Sequence, residues 1–222
     1  MVNRALLVID LQEDFLPPNG SLAITNGRSI VNPITQLIQE PLVQNWSLVV
    51  ATQDWHPINH TSFASQHNVK PFTELEFKHP ETKEIKKQFV WPDHCVQETF
   101  GATIENTFLE VYEKLKIPKA IVKKGYLQDR EYYSCFQDSW GLHHTEIEKL
   151  LKDNKIDEVV VVGLAYDYCV LNSAIDSAKS FKTIVVKNLS ESVSPESDSK
   201  TDEIYKKNGV ILVNDISDIL QT

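Results

Sequence analysis

The sequence predicts an α/β protein in which a central, mostly parallel six-stranded sheet lies between two layers of helices, a three-layer α/β/α arrangement. Two observations predict this fold class. Six short apolar runs rich in Val and Ile recur along the 222 residues, and segments with apolar residues at helical spacing lie between them. Regular alternation of strand and helix is typical of parallel sheets that are covered on both faces.

The predicted strands lack clean alternation of apolar and polar residues, as expected where both faces of a sheet are buried. In chain order they are residues 5–9, 48–51, 120–122, 159–162, 183–186 and 210–213. Apolar residues at helical spacing predict helices over residues 30–42, 147–151 and 170–178, and a polar stretch from residue 190 leads into a further helix that ends before Gly209.

Residues 55–117 interrupt this alternation. The segment is too long for a simple crossover, and it contains Pro57, Pro71, Pro80 and Pro92. Long irregular connections in compact domains often serve function. We expect residues 1–222 to form one domain in which this excursion builds a pocket wall over the sheet edge, with a late helix over residues 103–115.

Composition and charge argue against several classes of partner. Apolar residues make up 41% of the chain and charged residues 24%, and 22 basic against 31 acidic residues give a net charge of −9. Such a surface repels nucleic-acid phosphates and anionic lipids. The longest apolar runs, residues 6–9 and 159–164, are too short to span a bilayer. We therefore expect neither nucleic acid nor a membrane as a partner.

The cysteines and the first residues favour an intracellular protein. Cys95, Cys135 and Cys169 are too few and too widely spaced for a disulfide framework. No secretory signal follows Arg4, because Asp10 interrupts the apolar run. We expect a cytoplasmic location, with the nucleus as the alternative. Whether copies of the chain form a homo-oligomer stays open.

Four predicted strands end at or lead into reactive side chains. Asp10 ends the first strand and Asp54 and His56 follow the second, whereas the third runs into Lys124 and the fourth leads to Cys169. Each alone has an ordinary interpretation as a turn residue, a solvated lysine or a small core residue. Because ligands of open α/β sheets bind at the carboxyl ends of the strands, their joint placement favours an active site.

These groups suit acyl transfer to sulfur. Cys169 begins a predicted helix, where the helix dipole and the Lys124 ammonium would favour its thiolate. Asp10 could take the thiol proton and later pass it to a leaving amine. The N–H groups of Ala165 and Cys169 would then meet the developing oxyanion.

A metal site is predicted beside them. Asp54 and His56 are two residues apart in an extended segment, so their side chains face the same side, and His94 would complete the set. Two imidazoles and one carboxylate suit Zn²⁺ or another divalent first-row ion, with positions open for water or substrate. His60 is either a further ligand or a hydrogen-bond donor to a ligand.

Five segments of the chain resemble those of one family. They are ALLVIDLQEDF at residues 5–15, TQDWHP at 52–57, WPDHC at 91–95, KG at 124–125 and GLAYDYCV at 163–170. They are similar to the motifs of the nicotinamidase family of isochorismatase-like cysteine hydrolases, particularly its fungal members. The resemblance covers nearly the whole chain. It implies the isochorismatase-like fold and hydrolysis of nicotinamide to nicotinate and ammonia through a cysteine thioester, in NAD salvage.

The resemblance also implies site residues. The implied catalytic triad is Asp10, Lys124 and Cys169, the implied metal ligands are Asp54, His56 and His94, and the implied non-proline cis peptide bond joins Leu164 to Ala165. No organic cofactor is implied. The metal could coordinate the pyridine nitrogen and so orient the ring. Phe15 and Trp91, with Tyr133 and Tyr168 as further candidates, could sandwich that ring, although core packing explains the two tyrosines equally well.

Two other functions stay open at this level. A sibling hydrolase of the same fold could act on an isochorismate-like ether or another amide, although such relatives generally lack the metal ligands. A metal-binding or scaffold protein could have kept the fold and lost catalysis, although the intact triad argues against it. The sequence does not reveal the role of residues 72–89 or the activity on substituted amides such as pyrazinamide.

Overall fold

The structure is a computed structural model, and it describes residues 2–220. Its strands are β1 (Arg4–Ile9), β2 (Leu48–Asp54), β3 (Thr73–Lys78), β4 (Ile85–Val90), β5 (Lys119–Lys124), β6 (Glu158–Leu164), β7 (Lys182–Glu191) and β8 (Ile211–Val213). Its α-helices are α1 (Val31–Leu37), α2 (Asn106–Glu113), α3 (Ile147–Asp153), α4 (Cys169–Ala178), α5 (Asp198–Lys207) and α6 (Ser217–Leu220). Short 3-10 helices span Glu13–Phe15, Gly27–Ile30, Leu42–Asn45, Ala64–His67, Phe100–Ala102 and Pro195–Ser197.

The main sheet has six strands in the order β5-β2-β1-β6-β7-β8. Every neighbouring pair in it is parallel. Each strand predicted from the sequence overlaps one of these six, so the predicted three-layer α/β/α fold is confirmed. The observed strands are longer than predicted at several ends because polar residues such as Asp54, Lys124 and Glu158 continue the ladder.

Two cores cover the two faces of this sheet. All residues of β2 and β6 are buried, which explains why their sequences lack alternation. In β1, Leu6 and Val8 belong to the core shared with α1 and α2, whereas Leu7 and Ile9 belong to the core shared with α3, α4 and α5. Helices therefore pack on both faces.

The excursion over residues 55–117 contains more regular structure than the sequence predicted. Strands β3 and β4 form a separate antiparallel pair, and their residues alternate between half-buried and exposed. Such charged, short strands resemble a polar loop in sequence, because only one face packs on the protein. The late helix appears as α2, which begins after Glu105, whose carboxylate accepts the Phe108 N–H at 3.0 Å.

Between residues 2 and 220, no helix is both long enough and apolar enough to cross a membrane. The three cysteines are free and buried.

The order of the strands determines where a ligand can bind. From the central strand β1 the chain adds β2 and then β5 on one side, and from β6 it adds β7 and β8 on the other. The switch point therefore lies between β1 and β6. In open α/β sheets the binding crevice lies outside the carboxyl ends of the strands at such a point.

Candidate active site

The carboxyl ends of β1, β2, β5 and β6 carry the predicted reactive groups. Asp10 directly follows β1, Asp54 and Lys124 are the last residues of β2 and β5, and Cys169 begins α4 beyond β6. The strand register pairs Asp54 directly with Lys124. Between β6 and α4, the peptide bond from Leu164 to Ala165 is cis, as the family resemblance implies.

The Lys124 ammonium lies at the centre of this group. Its Nζ is 2.8 Å from Asp10 Oδ2, 2.6 Å from Asp54 Oδ1 and 3.5 Å from Cys169 Sγ. It also donates to the carbonyl oxygen of Tyr132 at 3.0 Å. Oxygens of Asp10 and Asp54 and the sulfur of Cys169 lie within 4.8 Å of one another. The structure thus brings together the acid, the ammonium and the sulfur that the sequence singled out.

Burial and charge set the protonation of these groups. Burial raises the pKa of Asp10 above its usual value, and the nearby Lys124 ammonium offsets this only in part. Burial also acts to raise the pKa of Asp54, but the charges of Lys124 and His56 prevail and hold it well below its usual value. The pKa of Lys124 is raised well above its usual value, because the two carboxylates outweigh the effect of burial.

The Cys169 thiol differs from the sequence-based expectation. Burial raises its pKa well above the usual value, and the Lys124 ammonium, which lowers it, does not compensate. The charges of Asp10 and Asp54 raise it further. Desolvation and the two carboxylates therefore oppose the thiolate expected at the start of α4. A reaction at this sulfur needs a base that takes its proton.

The predicted metal ligands also come together. Asp54, His56 and His94 are buried, and each offers one ligand atom within 4.8 Å of the others. Nδ1 of His56 lies 2.8 Å from the Gly125 carbonyl oxygen and Nδ1 of His94 lies 2.7 Å from that of Pro92, so each Nδ1 donates. Burial lowers the pKa of His94 to about 4 and so favours its neutral ring.

These hydrogen bonds leave Nε2 of both rings without a backbone partner, and each ring in its neutral form offers the Nε2 electron pair. Burial acts to lower the pKa of His56, but the Asp54 carboxylate prevails and raises it, so an ion bound at Nε2 would take the place of a proton. Nε2 of His56 is buried, has no hydrogen-bond partner among the described residues, and lies 3.5 Å from Asp54 Oδ2. Histidines that bind metals usually donate their other ring N–H to a carbonyl or a carboxylate, as both rings do here. The three residues therefore fit a divalent first-row ion.

The contacts of His60 fit neither of the two roles expected for it, a further metal ligand or a hydrogen-bond donor to a ligand. Its ring stacks on that of His56, with centroids 4.1 Å apart. Its Nδ1 lies 2.7 Å from Ser62 Oγ and its Nε2 lies 3.0 Å from the Arg130 carbonyl oxygen. Because both ring nitrogens have these partners, His60 is neither oriented as a ligand nor hydrogen-bonded to one. It touches His56, a predicted ligand, through its ring face.

A pocket lies over the Cys169 sulfur and two of the predicted metal ligands, Asp54 and His94. All four predicted aromatic residues line it. Trp91 Nε1 donates to the Tyr133 hydroxyl oxygen at 3.2 Å, and the Trp91 and Tyr168 rings meet edge to face with centroids 4.8 Å apart. The lining comprises Phe15, Leu22, Ile24, Asp54, Trp91, His94, Glu131, Tyr133, Ala165, Tyr168, Cys169 and Val193.

The turn before α4 contributes two residues to the lining of this pocket, Ala165 and Cys169. The carbonyl oxygen of Ala165 accepts from the N–H groups of Tyr168 and Val170 at 3.1 and 3.0 Å, which closes the turn. The N–H groups of Ala165 and Cys169 take no part in those bonds, and both residues line the pocket. They are the two groups expected to meet an oxyanion.

Sequence reasoning missed two buried polar residues of this site. The Thr52 hydroxyl donates to Asp10 Oδ1 at 2.6 Å and accepts from the Asp10 N–H at 3.0 Å, so it orients that carboxylate. The sequence could have indicated Thr52, because a polar residue in a buried strand such as β2 needs a hydrogen-bond partner. Glu131 lines the pocket, and burial raises its pKa. It lies in a polar stretch where neither spacing nor strand pattern distinguishes it.

Comparison with known proteins agrees with the geometry of the site. The family model described as Isochorismatase domain matches residues 4–213. The chain belongs to the isochorismatase family. Among isochorismatase relatives, a nicotinamidase of Saccharomyces cerevisiae is 37% identical over 219 residues, which cover 95% of this chain and 99% of that protein. The family resemblance noted in the sequence is confirmed.

Solved structures of isochorismatase relatives agree. The crystal structure of the yeast nicotinamidase bound to the inhibitor nicotinaldehyde matches with a TM-score of 0.91 and 35% identity, over 96% of this chain and 100% of that one. The structure of the pyrazinamidase of Pyrococcus horikoshii in complex with zinc matches with a TM-score of 0.71 and 29% identity, over 95% of this chain and 98% of that one.

Proposed function

We propose that this isochorismatase-family protein hydrolyses nicotinamide to nicotinate and ammonia, a reaction of NAD salvage, with Cys169 as the nucleophile. The observation that carries the proposal is the convergence of Cys169, Lys124 and Asp10 beside a pocket that is also lined by metal-ligand candidates. Relatives named nicotinamidase at high coverage support the same substrate. The additional ligand set favours this reaction over that of a sibling hydrolase without a metal.

The pocket would bind the pyridine ring. Zn²⁺ or another divalent ion held by Asp54, His56 and His94 would supply a Lewis-acid position for the ring nitrogen. The zinc complex of the Pyrococcus relative supports this choice of ion. The aromatic rings that line the pocket would cover the faces of the substrate and exclude water. Because Trp91 and His94 belong to it, the excursion over residues 55–117 would form a wall of the pocket.

In the triad, Asp10 would transfer the proton and Cys169 would hold the acyl group. The Asp10 carboxylate takes the proton from the Cys169 thiol, and the sulfur attacks the carboxamide carbon while the Lys124 ammonium stabilises the negative charge. Asp10 then gives the proton to the amide nitrogen, so that the C–N bond breaks, ammonia leaves and a thioester remains. The raised pKa of Asp10, a result of burial, suits a base that must take a proton from a thiol.

The second half of the reaction reverses the proton path. Water attacks the thioester carbon as Asp10 accepts its proton, the C–S bond breaks, and the sulfur recovers a proton from Asp10. In both halves the N–H groups of Ala165 and Cys169 would hold the carbonyl oxygen as it becomes an oxyanion.

The test is ammonia release from nicotinamide by the purified protein and by two cysteine variants. Cys169→Ala should lower the rate by about 10³-fold or more, because no nucleophile remains. Cys135→Ala is the matched control, since Cys135 is also buried but does not line the pocket, and it should retain activity. Equal release by the wild type and Cys169→Ala would refute the thioester route, and no release by the wild type would refute nicotinamide as the substrate.

A further inference from the structure

Three alternate side chains beyond the end of β1 bond to two separate segments of the candidate site, strand β2 and the stretch that ends at Cys95. Asp10 meets Thr52, Gln12 meets the backbone of Asp54, and Asp14 meets the backbone of Cys95. Asp10 has a place in the proposed reaction. Gln12 and Asp14 have no hydrogen bond to the Cys169 sulfur or the Lys124 ammonium among the described residues, and Asp54 and Cys95, their partners here, lie at or next to metal-ligand candidates.

Gln12 holds both backbone groups of Asp54. It is fully buried, its Oε1 accepts the Asp54 N–H at 2.8 Å, and its Nε2 donates to the Asp54 carbonyl oxygen at 2.8 Å. Nε2 also donates to the carbonyl oxygen of Ala102 at 2.9 Å. The ladder between β1 and β2 ends at the pair Val8 and Ala51. Beyond this pair, the Gln12 amide makes the hydrogen bonds to the Asp54 backbone that a neighbouring strand would otherwise make. It thereby fixes the backbone of the residue that carries the Asp54 carboxylate.

Asp14 holds the chain next to the third ligand. Its Oδ2 accepts the N–H of Cys95, the residue after His94, at 2.7 Å, and its Oδ1 accepts the Ser21 N–H at 3.3 Å. Cys95 has a φ of 47°, in the left-handed region that residues other than glycine rarely adopt. A Cβ at position 101 would overlap the Asp14 carboxylate, so the glycine there leaves room for this contact.

We propose that Gln12 and Asp14 are positioning residues for the metal-ligand set. Gln12 fixes the chain at Asp54 and Asp14 fixes the chain beside His94, so one segment after β1 aligns ligands that come from two distant parts of the sequence. The inference rests on the proposed function only in taking Asp54, His56 and His94 as the ligands. Loss of outer hydrogen-bond partners at metal sites typically weakens metal binding about 10- to 100-fold.

The test measures Zn²⁺ affinity of the full chain by competition with a chromogenic chelator, without any substrate. The variants are Gln12→Met, which keeps the length of the side chain and removes its amide, and Asp14→Ala. The control is Ser177→Ala. Ser177 is buried at the other end of the sheet, and its Oγ lies 2.8 Å from Thr183 Oγ1, so this variant loses a buried hydrogen bond without touching the site.

We expect Gln12→Met and Asp14→Ala each to raise the Zn²⁺ dissociation constant about 10- to 100-fold, while Ser177→Ala keeps the wild-type value. Wild-type affinity in the two site variants would overturn the inference, and so would equal weakening in Ser177→Ala, which would indicate general loosening. If Gln12→Met does not fold, Asp14→Ala decides by the same criterion.

The same measurement separates this inference from the proposed function. A wild-type chain that binds no Zn²⁺ overturns the positioning role, whether or not it hydrolyses nicotinamide. A wild-type chain that binds Zn²⁺ and releases no ammonia contradicts the proposed function, and weakened binding in the two variants then still supports the positioning role.

Discussion

One buried ammonium contacts two buried carboxylates in this protein. Lys124 and Asp10 are fully inaccessible and Asp54 is nearly so. A buried ion pair adds little net stability, because the cost of removing the charges from water offsets their attraction, but removal of one partner leaves a charge without compensation. The reaction proposed for these residues therefore explains the arrangement better than a contribution to stability does.

Lys124→Met should be inactive on nicotinamide and less stable than the wild type by about 3–5 kcal/mol at neutral pH, because two buried carboxylates lose their cation. Urea unfolding and ammonia release measure the two effects. The control is Lys123→Met on the same strand. Lys123 is exposed, with its Nζ 3.6 Å from the centroid of the Trp55 ring, so its loss should cost about 1 kcal/mol or less. A wild-type unfolding free energy in Lys124→Met would contradict the argument.

The sequence could predict that Asp10, Lys124 and Cys169 come together, but it could not predict their supporting hydrogen bonds. Asp10, Lys124 and Cys169 follow predicted strands, and a general rule brings strand ends together in parallel sheets. The bond from Thr52 to Asp10 depends on the register of two strands, and the bonds of Gln12 depend on how three segments meet. The thiol pKa depends on burial, which no local pattern indicates.

At the scale of elements, the six strands of the main sheet were predictable because buried β-branched runs are distinctive. The strands β3 and β4 were not predictable from the sequence, because they contain few apolar residues. Among the described strands they also pair only with each other, inside the same polar excursion. Ligand binding also requires that the strand ends approach closely. Gly163 in β6 allows this approach beside Ile9 of β1, its register partner.

Gly163→Ala should destabilise the protein by about 3 kcal/mol or more. Gly163 has a φ of 116°, and a Cβ there would overlap the carbonyl oxygen of Ile9, which is backbone and cannot rotate away. Gly209 also has a positive φ, 77°, but a Cβ there meets no atom within 4 Å. Gly209→Ala should therefore cost only about 1–2 kcal/mol. Equal losses for the two variants in urea unfolding would show that the contact with β1 has no effect.

One carboxylate joins three neighbouring strands at their amino ends. Glu158 at the start of β6 pairs with Arg4 of β1 at 2.5 Å and with Lys182 of β7 at 2.6 Å. Burial acts to raise the pKa of Glu158, but the hydrogen bonds from Lys182 and Arg4 prevail and hold it below its usual value of 4.5. A carboxylate with a lowered pKa stabilises the fold above its unfolded-state pKa, and this contribution disappears as pH falls through the folded-state pKa.

Glu158→Gln should therefore be less stable than the wild type at pH 7 by about 1–3 kcal/mol, because hydrogen bonds to a charged group are lost. The difference should shrink at acidic pH, as pH falls below the usual glutamate value of 4.5 and through the lowered pKa of Glu158, because the wild-type carboxylate then also takes up a proton. Urea unfolding at the two pH values measures it. Glu148→Gln is the control, since Glu148 pairs with Lys152 on the surface of α3 and should change stability little. A difference for Glu158→Gln that is the same at both pH values would contradict this assignment.

At the scale of the whole molecule, the proposed metal site links distant parts of the chain. Asp54 ends β2 of the main sheet and His56 follows it, whereas His94 lies beyond β4 in the excursion. An unfolded chain would not hold these three groups together. Metal binding should therefore favour the folded state as a whole, and not only the pocket.

Zn²⁺ at about 100 times its dissociation constant should stabilise the protein by about 2.7 kcal/mol. For a domain of this size such a gain raises Tm by roughly 5–10 °C. Calorimetry of the wild type with Zn²⁺ and after chelation measures the shift. His94→Ala should show a much smaller shift at the same Zn²⁺ concentration, because two ligands bind far more weakly than three. If the wild type and His94→Ala respond equally, the ion binds elsewhere, and the pocket would then have to orient the ring through its aromatic side chains alone.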